Sequence, residues 1–420
     1  MTTSAPSSAG TEFRSGLPAL VFATLGVAFG YTALAYFIGP LVVPLEQEFG
    51  WNRGEVTQTN LWSSIGLAAM LPFTGMIADR RGVRAVFVVT IPLFAALVLS
   101  LALFDGPLWL FLGTYALIGV IGSGTSSVMY AKVVARAFDR ARGLALGVLS
   151  AGLGAVALIF PPLMGWAIAT WGWRSAFVTM AVIALLPLVA LAFVRMPDDR
   201  GVAPADPRSL PGMPPREAVR RREFWTLIIA FFVLGYALVS MIPHFVPLLI
   251  DSGVGPVQAA FLSALVGLGT VVARPVIGWF IDRFYATYVG VPLFLFAAVG
   301  TLVLLLGGAP YAPLTAILIG IGFGAEVDLA SYLSSRYLGQ RAFGALYGVI
   351  YSAFAIGAAV GPVVTGYIFA SRGSYSVALV VSIILIIVGS ALLLSLPRYD
   401  RRNYEVNDAV VDTGAPRSTP

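Results

Sequence analysis

The sequence predicts an all-α integral membrane protein: twelve transmembrane helices arranged as two six-helix bundles. Three observations carry that prediction. Only 11% of the 420 residues are charged and 58% are hydrophobic, where a water-soluble domain averages about 25% charged. Apolar runs of about 20 residues, the length that crosses a bilayer, recur twelve times. One polar, proline-rich stretch, residues 196–222, divides those runs six and six.

Taken in order, the runs begin and end at charge or at Gly/Pro clusters. A polar tail, 1–16 (MTTSAPSSAGTEFRSG), precedes the run 17–42 without a small-residue cleavage site, so 17–42 reads as a retained span. The segment LEQEFGWNR separates it from 54–78, and DRRGVR separates that from 83–104. After FDGP comes 107–132, which gives way at ARAFDRARG to 142–169. The turn at TWGWR leads into 173–195, the last span of the first bundle (17–195). Beyond the linker, 223–250 stops at DSGVGP, 256–281 at DRFYA, 286–307 at GGAPY, 311–335 at SRYLGQR and 342–370 at SRGS. The run 374–396 then closes the second bundle (223–396) and passes into a polar tail, 397–420. Glycine and proline inside the runs are no objection, because membrane helices tolerate them where neighbouring helices satisfy the backbone.

The basic residues orient the chain. Of the 26 Lys and Arg, all but Arg53, Arg174, Arg372 and Arg274 fall in the N-tail, the linker, the C-tail or loops on the same side as these. The positive-inside rule then makes both termini and the linker cytoplasmic, with the protein a multi-pass resident of the plasma (inner) membrane. The pI near 9.6 is thereby a topology signal, and nucleic acid is not an expected partner. There are no cysteines, which excludes disulfides, thiolate metal sites and cysteine nucleophiles. With no P-loop and a single histidine, the chain has no enzyme signature, and no cofactor is expected.

The halves repeat. Pro72-x-x-Gly75-x-x-x-Asp79-Arg80 recurs as Pro275-x-x-Gly278-x-x-x-Asp282-Arg283. Gly119 pairs with Gly320, Arg140 with Arg341, Pro161 with Pro362, Gly165 with Gly366 and Gly172 with Gly373, all in one register. In that register Glu326 stands opposite Thr125 and Asp328 opposite Ser127, while the register of the Pro72 and Pro275 motifs puts Arg274 opposite Leu71. The second half buries three charges where the first has neutral residues. A fold common to both halves does not need them, so they serve something specific to the second.

GMIADRRGVR at 75–84 resembles the signature loop of the major facilitator superfamily, and GWFIDRF at 278–284 its second-half counterpart. More narrowly, VARPVIG (272–278), RARGLALG (140–147) and GWRSAF (172–177) resemble the monocarboxylate transporter and oxalate:formate antiporter branch. That resemblance implies alternating access and an eighth-helix arginine, Arg274, holding the substrate carboxylate. Thr270 stands where many monocarboxylate carriers have an aspartate, and the only lysine, Lys132, is not in the first helix. No cation lies in 342–370, where oxalate carriers use one, which favours substrates with a single carboxylate.

The candidate residues follow. Arg274, Glu326 and Asp328 lie at similar depth, roughly 10–14 Å from the cytoplasmic ends of their spans at about 1.5 Å per residue. A guanidinium fork matches a carboxylate in two hydrogen bonds and stays charged. Arg274 is therefore the anion anchor, or else one partner of a structural ion pair. Glu326 and Asp328, two helical steps apart, are the proton-coupling candidates. A carboxylate balanced between burial and a nearby arginine can release a proton when substrate engages that arginine. Their alternative role is a gating relay. His244, beside Pro243, is either a proton sensor or a hydrogen-bonded interfacial histidine. The signature loops put Asp79, Arg80, Arg84, Asp282 and Arg283 at an inner gate. Tyr36 and Tyr351 are picked as cavity-lining residues from helices that line the cavity in the resembled fold. The expected protein is a monomeric, proton-coupled carrier of a small organic anion, a monocarboxylate, with protons and the lipid bilayer as its other partners. An exporter of lipophilic drugs or metabolites and a non-transporting membrane sensor are the competing readings.

Overall fold

The computed structural model describes residues 9–138, 142–194, 213–339 and 341–399. The side chains of Asp79 and Asp282, Arg140, most of the linker and the distal parts of both tails lie outside the described residues. Twelve helices are long and apolar enough to cross a membrane. In the first half these are span 1 (Gly16–Ala33), span 2 (Arg53–Ala78), span 3 (Val83–Ala102), span 4 (Leu108–Val134), span 5 (Gly147–Trp171) and span 6 (Arg174–Phe193). In the second they are span 7 (Arg222–Asp251), span 8 (Pro256–Ile281), span 9 (Ala286–Gly307), span 10 (Ala309–Leu338), span 11 (Ala345–Arg372) and span 12 (Ser376–Leu394).

Several spans are not single helices, and local sequence accounts for the breaks. Span 1 passes through short turns, Tyr31–Ala33, Leu34–Phe37 and Gly39–Leu41, before the helix Val42–Phe49. Span 2 starts cleanly because Asn52 and Glu55 cap it reciprocally: Asn52 Oδ1 accepts from the Glu55 N–H at 2.9 Å, and the Asn52 N–H donates to Glu55 Oε2 at 2.8 Å. Span 4 breaks at Ser123–Thr125, where Ser126 is extended. Here four hydroxyl residues in a GSGTSS run compete with the backbone for hydrogen bonds. Its repeat partner in the second half, the helix Ala312–Leu338, runs unbroken through Glu326 and Asp328. The same position in the register is thus a hydroxyl-rich bend in one half and a charged helix in the other.

The repeat is visible in the packing. A Cβ on Gly66 or Gly119 would collide with the backbone carbonyls of Ala116 and Ser63, so spans 2 and 4 meet backbone to backbone. Gly269 and Gly320 do the same for spans 8 and 10, against the carbonyls of Ile317 and Val266. Small residues permit this approach where apolar lipid supplies no hydrophobic drive between helices. Between the halves, Gly165 of span 5 packs on Ala260 of span 8, and its counterpart Gly366 of span 11 packs on Gly54 of span 2.

The large buried side chains, by contrast, sort by half. One set of clusters runs from Ala19 to Val194 and another from Ala218 to Leu396, and none mixes the two. Each half is its own packed body, joined to the other through glycine-faced helix pairs. The described residues that flank the linker, Val194 and Met213, and Pro397 after the last span lie at one end of the molecule, called here the basic end. There the Arg84 guanidinium donates to the Val194 carbonyl at 2.9 Å, the Met213 N–H to the Leu338 carbonyl at 3.1 Å, and the Tyr337 hydroxyl to the Pro397 carbonyl at 2.6 Å.

Candidate functional site

Close packing of spans 8 and 10 sets the centre of the molecule. Thr270, buried, donates its hydroxyl to the Val266 carbonyl at 2.9 Å and the Gly320 carbonyl at 3.1 Å, and a Cβ on Gly324 would press on Thr270 and Ala273. One turn further along, this contact leaves Arg274 beside the Glu326–Asp328 stretch. Glu326 is buried, at 4% exposure, while Arg274 and Asp328 are half-buried. Arg274 lies within electrostatic reach of both acids, and the acids within reach of each other. Among the described residues, however, no ion pair within 4 Å joins Arg274 to either acid. Glu326 Oε2 and Arg274 Nε are both buried atoms without a hydrogen-bond partner. An unpaired buried polar atom costs about 1–3 kcal/mol, more when charged, so each such group in a native protein calls for an explanation.

Both bundles contribute to this centre. Tyr36, in the short helix Leu34–Phe37, and Tyr351 of span 11 each lie within the field of Glu326 and Arg274, and Tyr351 also of Tyr31. Tyr347, one turn from Tyr351, lies within the field of both acids. Tyr31 is held by its N–H on Thr125 Oγ1 at 3.3 Å and its hydroxyl on Ser63 Oγ at 3.3 Å. The span 4 bend thereby positions the first half's wall of the site. Of the residues singled out in the sequence, Arg274, Glu326, Asp328, Tyr36 and Tyr351 are brought together.

His244 is not with them. It is buried at the end opposite the basic one, in the irregular turn that splits span 7 into Arg222–Ser240 and Phe245–Asp251. Its Nε2 donates to the Pro362 carbonyl at 2.8 Å, which leaves Nδ1 to accept from the Tyr375 hydroxyl at 3.2 Å. The Tyr375 oxygen in turn accepts from Arg53 Nη1 at 2.9 Å.

Arg53, which begins span 2 of the first half, is only 5% exposed and joins the halves. Both its Nη atoms bond Asp251 at the end of span 7, Nη2 at 2.8 Å, and its Nε bonds Glu46 at 3.0 Å. Its guanidinium carbon sits 4.0 Å from the Phe369 ring centre. Alongside, Thr57 donates to the Pro362 carbonyl at 3.2 Å and Gln58 to the Tyr367 hydroxyl at 2.8 Å. This end of the molecule is latched shut across the two bundles.

At the basic end three of the signature side chains are described. Arg84 bonds the end of span 6, within its own half, Arg283 lies 3.9 Å over the Trp279 ring, and Arg80 is exposed. The Asp79 and Asp282 side chains lie outside the described residues. Where Gly147 and Gly348, repeat partners in spans 5 and 11, stand nearest the basic end, a Cβ would meet open space.

The Major Facilitator Superfamily sequence model matches residues 20–362, with a second, overlapping match over 253–416. The chain belongs to the Major Facilitator Superfamily. This superfamily member is 30% identical, over 72% of its length and 75% of the relative's, to a Thermoproteus tenax protein described as an uncharacterized 38 kDa protein in a 23S RNA operon. It is 26% identical to human monocarboxylate transporter 11, over 90% of this chain and 82% of that one. It is also 26% identical to bovine monocarboxylate transporter 13, over 80% of each. Its fold is that of a bacterial homologue of the human lysosomal transporter Spinster, crystallised inward-facing, with TM-score 0.69 and 17% identity over 92% of this chain and 97% of that one. The superfamily and the monocarboxylate transporter-like branch expected from the sequence are thus borne out, and these relatives are transport proteins rather than enzymes.

Sequence reasoning missed the latch of this facilitator. Arg53 and Asp251 lie 198 residues apart and at span ends, where a charge is ordinary. The available signal was scarcity: Arg53 is one of only three basic residues in the loops away from the basic end.

Proposed function

We propose that this chain is a secondary active carrier of a small organic anion, a monocarboxylate, moved together with a proton by alternating access. The observation that carries the reading is Arg274: a half-buried, permanently charged guanidinium between two acids that touches neither, with its Nε unpartnered. A substrate carboxylate supplies the missing acceptor in bidentate geometry. One such cation, with no second acting on the acids among the described residues, suits one carboxylate. Kinship with monocarboxylate transporters 11 and 13 supports the same substrate class.

Charge balance gives the coupling its direction. Without substrate, Arg274 compensates Glu326 and Asp328. A carboxylate on Arg274 takes that compensation away, and the low-dielectric centre then favours a protonated acid. The proton therefore enters with the anion rather than leaving as it binds. Glu326 is the deeper of the two acids and the stronger candidate for the proton. The basic end is cytoplasmic by the positive-inside rule, in the plasma (inner) membrane of a monomeric carrier that takes no part in nucleic-acid binding. The Arg53–Asp251–Glu46 latch is then an outer gate, closed here, with His244 as its buried strut. Arg80, Arg84 and Arg283, with Asp79 and Asp282, form the inner gate that closes when the outer one opens.

Proteoliposome uptake tests the anchor. Arg274→Ala forfeits two charge-assisted hydrogen bonds of about 1.5–3 kcal/mol each, so carboxylate uptake falls at least 100-fold. Gel filtration and thermal melting establish that the variant is folded. Uptake by a folded Arg274→Ala protein at the wild-type rate would falsify the proposal.

A further inference from the structure

We infer that the carried anion is an aryl monocarboxylate, its ring seated on a ladder of aromatic side chains along span 11. The inference rests on the reading of Arg274 as carboxylate anchor and adds what holds the rest of the molecule.

The ladder is Phe343, Tyr347, Tyr351 and Phe354, spaced four, four and three residues apart, which puts all four on one helix face. Their rings succeed one another at centroid distances of 5.3, 5.9 and 5.9 Å with interplanar angles of 5°, 36° and 25°. The rings form a continuous row, tilted at its middle pair, that starts at the basic end of the helix Phe343–Arg372. Tyr351 is 41% exposed, yet it lies within electrostatic reach of Arg274 and the buried Glu326 of its own half and of Tyr31 of the other. Its open face therefore looks into the space between the bundles and not toward lipid. Tyr347 continues that wall past Asp328, and Tyr36 faces the same two charges from the first half.

The repeat says that the row is not a requirement of the fold. In the register that pairs Gly165 with Gly366, the span 5 counterparts of Phe343, Tyr347, Tyr351 and Phe354 are Arg142, Leu146, Ser150 and Leu153. At these four register positions aromatic rings stand only in the half that also carries the charges. An acid held on Arg274 lays its tail against Tyr351. A flat ring lies in offset stacking on the open side of Tyr351, whereas a saturated ring of the same size fills the space without matching the ring quadrupole.

Calorimetric titration of the purified full-length protein with phenylacetate, cyclohexylacetate and acetate tests this. The first two share the carboxylate and nearly the same size, and differ in aromaticity. Phenylacetate is expected to bind about three- to ten-fold more tightly than cyclohexylacetate, the size of one offset ring pair. Tyr351→Leu abolishes that ratio and Tyr351→Phe, which keeps the ring, retains it. Equal binding of the two ring acids by wild-type protein, or a preference that survives Tyr351→Leu, overturns the aryl inference and leaves the carboxylate reading standing. Failure of all three acids to bind overturns both.

Discussion

Asp251→Asn is the sharpest test of the far-end latch. The substitution keeps the shape of the side chain and one acceptor oxygen but removes the charge that faces both Nη atoms of Arg53. Fully buried, hydrogen bonds to a charged partner contribute about 1.5–3 kcal/mol each. Asp251 is 36% exposed, and exposed pairs are commonly worth 1 kcal/mol or less. Arg53 itself is 5% exposed and retains Glu46 and Tyr375. Between those limits the loss comes to about 2 kcal/mol, which moves the ratio of latched to unlatched molecules about 30-fold toward the unlatched state. The chain has no cysteine, so spin labels can be placed cleanly at Asp105→Cys and Ser374→Cys, both exposed and in far-end loops of different halves. Pulsed electron spin resonance reads their separation. The expected result is a longer-distance population in Asp251→Asn that is minor or missing in the parent. Superimposable distance distributions in parent and variant would show that the Arg53 cluster does not hold the bundles together.

Two further outcomes are expected. Gly320→Leu drives a side chain into the Val266 carbonyl, forces spans 8 and 10 apart and destabilises the protein by about 1–3 kcal/mol. A lowered melting temperature reports it, while Gly113→Leu, with open space at its Cβ, leaves the melt unchanged. Glu326→Gln keeps the side chain neutral at every pH, so uphill carboxylate accumulation driven by an imposed proton gradient disappears while downhill exchange continues. Gradient-driven accumulation persisting in that variant moves the coupling role to Asp328.

The fold was legible because a bilayer imposes one length and one polarity on every span, and the apolar runs of this chain record both. The repeat was legible for a different reason. Gly119, Gly320 and Gly366 mark places where backbones touch, and a contact of that kind admits one residue type. The central charges stood out because Arg274, Glu326 and Asp328 interrupt apolar sequence, where a charge must have a cause. What stayed hidden was convergence between distant segments. Tyr36 and Tyr351 come from the resembled fold, but nothing in the spacing of Tyr31 and Tyr347 says that the two bundles bring them to the same place, since aromatic residues in a membrane helix are most often packing. The break of span 4 at Ser123–Thr125 also escaped notice, because a GSGT run inside a hydrophobic stretch reads as tolerated flexibility until Tyr31 is seen to hang from it.

The sorting of chemistry onto one bundle has a mechanical consequence. Arg274, Glu326, Asp328 and the row of aromatic rings all belong to the second half, and among the described residues Tyr31 and Tyr36 reach in from the first. On the proposed reading, a passenger held this way is carried on board one rocking body, while the other serves as a door that swings from one face of the passenger to the other. Translocation then requires no hand-over between partners midway. The strength of the grip at either side of the membrane is set by how closely the door stands, so the first half tunes release without touching the charges that do the holding.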